Sequence, residues 1–259
     1  MRISVLAENT AASDKLVAEH GLSLLIETQS ARILFDAGAS SVFAENAVTM
    51  GIDLLGVDIA VLSHGHYDHG GGLPRFLELN THAPVWVSPH AFDAHFNAQG
   101  KDIGLSPALI SCPRLRTAQH AVQKLAPGVT LYQATSVPCR YPAAGAGMSA
   151  IIDGQRTSDD FRHEQYLLIE EHGKRILISG CSHRGILNLV THFRPDVLIG
   201  GFHLMRSNAE TCTQTGKLLA TFPTRYYTGH CTGDTATEIL REHMRDQLRT
   251  FSTGSVWEV

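Results

Sequence analysis

The chain reads as an α/β protein, an αββα sandwich of mixed sheets with outer helices, and three features of the sequence predict it. Short apolar or alternating runs, Arg2–Leu6, Leu22–Glu27 and Arg32–Phe35, follow one another early, as strands of one sheet do. A second series, Tyr166–Ile169, Arg175–Ile178, Val197–Gly201 and Arg225–Thr228, occupies the later half. Between these runs lie stretches with apolar residues at helical spacing, so each half is a set of strands with helices to cover it. With 259 residues and 43% hydrophobic content there is material for a full core. Neither an internal repeat nor a linker divides the chain, so a single domain is expected over 1–259.

Arg32–Phe35 ends at Asp36-Ala37-Gly38, a turn that leaves a carboxylate at a strand end. Ser40–Met50 carries Val42, Phe43, Ala47 and Met50 at helical spacing and is closed by Gly51 as a C-cap. Val57–Leu62 is a buried strand, followed by a helix from Gly72 to Asn80, a strand over Pro84–Ser88 and a short helix over Pro89–Asn97. From Ala98 to Asp160 glycine and proline recur, and only Val129–Tyr132 and Thr135–Val137 read as strands. The region 98–162 is therefore expected to be an insertion covering the functional site, with Arg140 and Tyr141 placed to meet an anionic or aromatic group. Glu171-His172-Gly173-Lys174 turns a hairpin. Helices follow over Gly185–His192, Ala209–Ala220 and Asp234–Leu248, and the tail from Thr250 adds an edge strand.

The strand Val57–Leu62 stops at Ser63-His64-Gly65-His66-Tyr67-Asp68-His69-Gly70-Gly71-Gly72, where three imidazoles and a carboxylate fall within six residues. Imidazole nitrogens and carboxylate oxygens are the ligands that borderline and hard divalent ions prefer. In an extended segment His64, His66 and Asp68 share one face, and His69 joins them if a helix begins at Asp68-His69. Two ions follow, one on His64 and His66, the other on Asp68 and His69. Two ligands per ion are too few, so later strand ends must contribute. Cys181, His183, His203 and His230 each sit where an apolar strand gives way to a loop.

Together, Glu8-Asn9, Glu19-His20-Gly21-Leu22-Ser23, Phe35-Asp36-Ala37-Gly38, Ser63–Leu73, Gly180-Cys181-Ser182-His183, Gly200-Gly201-Phe202-His203-Leu204 and Thr228-Gly229-His230-Cys231-Thr232-Gly233 resemble the metallo-β-lactamase superfamily of metal-dependent hydrolases. The likeness is to the branch with the dihydropterin-ribofuranosylaminobenzene-phosphate synthases. It implies the αββα sandwich of the metallo-β-lactamase type and Asp36 as a buttress of the metal loop through hydrogen bonds. It also implies His230 on the second ion, as the superfamily's final histidine. Cys181 stands where many relatives carry a bridging aspartate, either as a soft ligand or as a buried small residue. For the first ion's third ligand, the Gly-Cys-Ser-His signature favours His183. A position 18 residues before Cys181, much like that of the superfamily's third histidine, favours His163. The ligand set carried forward is His64, His66, Asp68, His69, Cys181, His183 and His230.

The implied activity is hydrolysis of a small ester, lactone or phosphoester by hydroxide generated on two divalent metal ions. Zinc is the first choice on ligand type, with iron or manganese fitting the same set. Asp68 would also orient the nucleophile or take its proton, and His203 would hydrogen-bond the oxyanion or leaving group. Two rivals are a synthase-like displacement of diphosphate, for which Arg140 and Arg156 are thin support, and a non-catalytic metal or ligand sensor. A net charge of -4 offers no polybasic surface, which speaks against nucleic acid. No run approaches the ~20 apolar residues that span a bilayer, and the apolar start is too short for a secretory leader. Five cysteines without CxxC spacing point to a reduced, cytoplasmic protein. The expected partner is a small-molecule substrate, with a homo-oligomer as the base-rate expectation.

Overall fold

Strands that are buried on both faces must be covered on both, and this property sets the layers. Ser23–Glu27, Ile59–Val61 and Val197–Ile199 are buried at nearly every position, so each contributes apolar side chains in both directions. A computed structural model, describing residues 1–259, shows how the demand is met. One sheet runs from edge to edge through Val256–Glu258, Arg2–Ala7, Ser23–Glu27, Arg32–Phe35, Ile59–Val61, Val85–Val87 and Leu115–Thr117. The other runs through Leu248–Thr250, Arg225–Thr228, Val197–Ile199, Lys174–Ile178, Gln165–Glu171, Val129–Gln133 and Val122–Ala126. Each mixes hairpin pairs with a block of parallel strands.

Ile3, Val5, Ile33 and Phe35 of the first sheet meet Val129, Leu167, Ile176 and Ile199 of the second in the central core. The alternate residues face outward. Leu25, Leu34 and Ala60 pack against Phe43 and Ala47 of the helix Val42–Thr49 and Phe76 of the helix Leu73–Leu79. Leu168, Leu177 and Leu198 pack under the helices Ile186–Phe193, Ala209–Leu219 and Asp234–Met244. Helix, sheet, sheet and helix are thus stacked as expected from the two strand series.

The middle of the chain departs from expectation in detail. Pro89–Asn97 is not a helix: turns bonded from Ala91 to Ser88 and from Asp93 to His90 lead into a short strand, His95–Phe96. That strand pairs with Ser149–Ile152, so its backbone groups are satisfied across a sheet instead of along a helix. Thr135–Val137 is likewise a single helical turn, Ala134–Ser136. The stretch 98–162 divides. Leu115–Thr117, Val122–Ala126 and Val129–Gln133 complete the two main sheets, while Ala143–Met148 lies over their ends.

The parallel blocks position the chemistry. Phe35 is level with Val61, and Ile178 with Ile199, which is level with Tyr227, so the loops that follow leave both sheets at the same end. A Cβ at Gly200, whose φ is 147, would run into the Ser179 carbonyl, so glycine lets two of these loops touch. Replacing Ile169, 1% exposed at the centre of the core, by Ala is expected to lower the unfolding free energy by about 2–5 kcal/mol in urea denaturation. Val122→Ala on the edge strand should change it by less than about 0.5 kcal/mol.

Candidate metal centre

The centre is built outward from Asp36, whose buried carboxylate collects three donors. Its Oδ1 accepts the Ser63 backbone N–H at 2.6 Å, and its Oδ2 accepts the Ser63 hydroxyl at 2.7 Å and His69 Nδ1 at 2.6 Å. With the Ser63 proton spent on Asp36, the hydroxyl oxygen accepts from His64 Nδ1 at 2.7 Å. Both rings therefore carry their proton on Nδ1 and leave Nε2 bare. His230 is fixed in the same way from the far end of the chain. Its Nδ1 donates to Asn9 Oδ1 at 2.9 Å, and its backbone N–H to Glu8 Oε1 at 2.6 Å. The helix expected at Asp68-His69 is one turn, Tyr67–Gly70, entered from extended backbone at His66.

The bare nitrogens converge. His69 Nε2 lies 3.1 Å from His230 Nε2 and 3.2 Å from Cys181 Sγ, and Asp68 Oδ2 lies 3.4 Å from His230 Nε2. At metal–nitrogen distances near 2.0–2.1 Å, tetrahedral ligands sit roughly 3.3–3.4 Å apart, so these spacings suit a shared cation. Without one, the two nitrogens face each other with no more than a shared proton between them. Beside this group, His64, His66 and His183 bring donor atoms within 4.8 Å of one another. His64 Nε2, His66 Nε2 and both nitrogens of His183 are buried with no hydrogen-bond partner. Four orphaned buried nitrogens would be costly in a site meant to stay empty, so the donor set fits divalent ions.

His163 sits differently. Its Nε2 is also buried without a hydrogen-bond partner, 3.3 Å from Asp159 Oδ2, but its Nδ1 accepts the Gly65 N–H at 2.9 Å, which puts the ring's proton on Nε2 and leaves no lone pair for an ion. Of the two candidates for the third ligand of the first ion, His183 thus faces the group with free nitrogens and His163 does not. The loop carrying Cys181 and His183 is held by Glu164, which accepts the backbone N–H groups of His183 and Arg184 at 2.7 and 2.9 Å.

Electrostatics agree with a ligand pool. Burial, followed by the crowd of neighbouring imidazoles, holds His64 and His183 well below the usual imidazole range. Burial and His163 do the same to His66. His69 is the exception: burial opposes its charge, but Asp36 and Asp68 outweigh burial and raise it. Burial pushes the Asp68 carboxyl up, and His69 and His230 more than reverse this, so it is ionised. Burial, with Cys231 beside it, raises the Cys181 thiol. His203, whose ring centroid is 4.2 Å from that of His183, is lowered to about 4, chiefly by burial.

Of these groups His66, Asp68, Cys181, His183 and His203, together with His230, line a cavity of about 370 Å³ whose walls include Ile103, Ala143, Ala144 and Met148 and whose lining carries a single guanidinium, Arg206. Arg140 and Tyr141, expected to meet substrate, lie outside it, in separate surface grooves. Sequence reasoning assigned no role to His20, whose Nε2 is 3.4 Å from Asp68 Oδ2, or to Asn9, Glu8, Glu164 and Cys231. Glu8-Asn9 follow the first strand as the histidine motif follows its own, but their partner His230 is more than two hundred residues away.

Because burial holds the unpartnered imidazoles of His64, His66 and His183 well below the ordinary imidazole range, bound metal is expected to be retained as pH falls through that range and lost only at lower pH, where protonation competes. Equilibrium dialysis with elemental analysis measures this. Asp36→Asn, which unsettles the tautomers of His64 and His69 together, should weaken metal binding by about 10–100-fold while the circular dichroism spectrum is kept.

Residues 16–133 match the model of the metallo-beta-lactamase superfamily. An uncharacterized protein of Methanocaldococcus jannaschii is 30% identical over 99% of this chain and 98% of its own length. The 7,8-dihydropterin-6-methyl-4-(beta-D-ribofuranosyl)-aminobenzene-5'-phosphate synthase of the same organism is 28% identical over 99% of this chain and 96% of its own. The crystal structure of a metal-dependent hydrolase of the beta-lactamase superfamily superposes with a TM-score of 0.86 at 28% identity, covering 100% of this chain and 99% of that one. With the sandwich, the strand-end histidines and these relatives in agreement, the chain belongs to the metallo-β-lactamase superfamily, in a branch resembling the dihydropterin synthase.

Proposed function

We propose that the protein is a metal-dependent hydrolase of a small ester, lactone or phosphoester. The observation that carries this reading is a cavity of about 370 Å³ floored by bare imidazole nitrogens and an ionised carboxylate, Asp68. His64, His66 and His183 would hold one divalent ion; Asp68, His69 and His230, with Cys181 beside them, would hold a second. Ions held there supply Lewis acidity toward a water molecule and toward the substrate's carbonyl or phosphoryl oxygen, with zinc the first choice for this donor set.

The chain's own groups do the rest. Asp68 Oδ2 faces His20 and His230 at 3.4 Å and lines the cavity, so as an ionised carboxylate it can orient the attacking water and take its proton. His203 lines the same cavity and is neutral at pH 7, which suits it to hydrogen-bond the substrate oxygen that gains charge. Arg206 at the wall would attract an anionic substituent. The mixed walls leave room for a compact apolar group.

A second reading, displacement of diphosphate as in the synthase, is supported by similarity along the whole chain. One guanidinium among the lining residues is little for a diphosphate.

The test is elemental analysis of protein purified without chelator, with assays on a phosphodiester and a lactone before and after metal is stripped and restored. About two equivalents of metal and metal-restored turnover are expected. Turnover that survives stripping, or none on either substrate with the metal in place, would overturn the hydrolase reading. Asp68→Asn should lower kcat on the accepted substrate by roughly 10²–10⁴-fold.

A further inference from the structure

Packed against His66 lies a second buried group of titratable side chains: His95, Asp159 and His163, at 1%, 7% and 0% exposure. Asp159 Oδ2 is 3.1 Å from His95 Nδ1 and 3.3 Å from His163 Nε2, and Asp159 Oδ1 accepts the Phe161 N–H at 2.8 Å. His95 Nε2 faces the His90 carbonyl at 3.3 Å. We propose that His163, steadied by Asp159, is a positioning residue for the metal loop: it fixes the Gly65 peptide between His64 and His66 and binds no ion itself. This inference rests on the metal-dependent reading above.

Two independent contacts clamp that peptide. The Gly65 N–H donates to His163 Nδ1 at 2.9 Å, across 98 residues of sequence. On the α-carbon, a Cβ at Gly65 would strike the Ala91 carbonyl and lie 3.0 Å from His95 Nε2, so the Ala91–His95 segment presses on the same residue. The peptide is thus held through its N–H on one side and by close packing on the other. It joins two proposed ligands of one ion, so a shift of Gly65 moves both.

His66, His95, Asp159 and His163 bring donor atoms within 4.8 Å of one another, which taken alone would suit a third ion. The Gly65 hydrogen bond argues otherwise. An imidazole that accepts through Nδ1 holds its proton on Nε2, and a nitrogen bearing a proton is no ligand. Asp159 Oδ2 lies 3.3 Å from that nitrogen, which has no hydrogen-bond partner, and the carboxylate's charge favours the ring orientation that turns the N–H toward it.

The experiment compares the full wild-type chain with His163→Leu and His163→Asn, using cobalt(II) as the probe. The Asn side-chain carbonyl occupies the place of the histidine Nδ1 and keeps an acceptor for Gly65; Leu does not. Cobalt affinity is read by competition with a chelator, site geometry by the visible absorption of the bound ion, and the clamp by hydrogen exchange at the Gly65 amide. His163→Leu is expected to weaken cobalt binding by about 10–100-fold, shift the absorption and speed Gly65 exchange. His163→Asn should recover most of all three, with the number of bound ions unchanged throughout. If the Leu variant does not fold, Asp159→Ala, which frees the ring, should show the same direction of change. Loss of one equivalent in both His163 variants would make His163 a ligand and overturn the inference. Unchanged affinity and exchange in His163→Leu would overturn it equally. A wild-type chain that takes up no cobalt sinks the metal reading itself, a result separable from the others because Gly65 exchange still reports whether the clamp exists.

Discussion

The carboxylate of Asp36 is the point on which the centre depends. Its two oxygens take hydrogen bonds from a backbone amide, a hydroxyl and an imidazole, and through the hydroxyl it reaches a second imidazole. Hydrogen bonds to a charged group contribute roughly 1.5–3 kcal/mol each, and each donor here would otherwise be buried without a partner. The residue holds a left-handed backbone, φ 60, that side-chained residues rarely adopt. Local strain at Asp36 is thus offset by the order it imposes on the loop after the neighbouring strand. One side chain settles which nitrogen of His64 and of His69 is free.

Around it, burial and charge are balanced by placement. Imidazoles crowded together away from water cannot all be protonated, so burial keeps His64, His66, His183 and His230 neutral. Carboxylates at the margins do separate tasks. Asp68 is ionised in the cavity, Glu164 ties down the backbone of the Cys181–Arg184 loop, and Asp159 faces the rings of His95 and His163. The result is a pool of neutral donors with one ionised oxygen opening on the cavity.

A thiol stands beside His69, with Cys231 close to it. Sulfur is a softer donor than carboxylate and shifts preference toward zinc or iron over magnesium or calcium. The walls above this floor are built by Ala143–Met148 with Ile103, a small-residue roof that leaves volume where bulkier side chains would fill it.

Much of this was legible in the order of residues. The apolar runs gave the strands because a segment buried on both faces can contain little else, and His64, His66, Asp68 and His69 announced themselves because four donors in six residues have few other uses. The later strand ends that supply Cys181, His183, His203 and His230 were visible for the same reason. Folding alone decided which rings are free. His163 and His183 are alike as residues, and only the Gly65 amide, brought to His163 from 98 residues away while both His183 nitrogens stay without a partner, separates a ring with a spent lone pair from one with none spent. Pro89–Asn97 was misread because its apolar spacing suits a helix, whereas pairing with Ser149–Ile152 satisfies its backbone. Asn9 and Glu8 met His230 only when the two sheets closed, since hydrogen-bond partners more than two hundred residues apart leave no periodicity behind. The residue types and their local spacing were written in the chain; the tautomers, the partners and the cavity came from how its two halves pack.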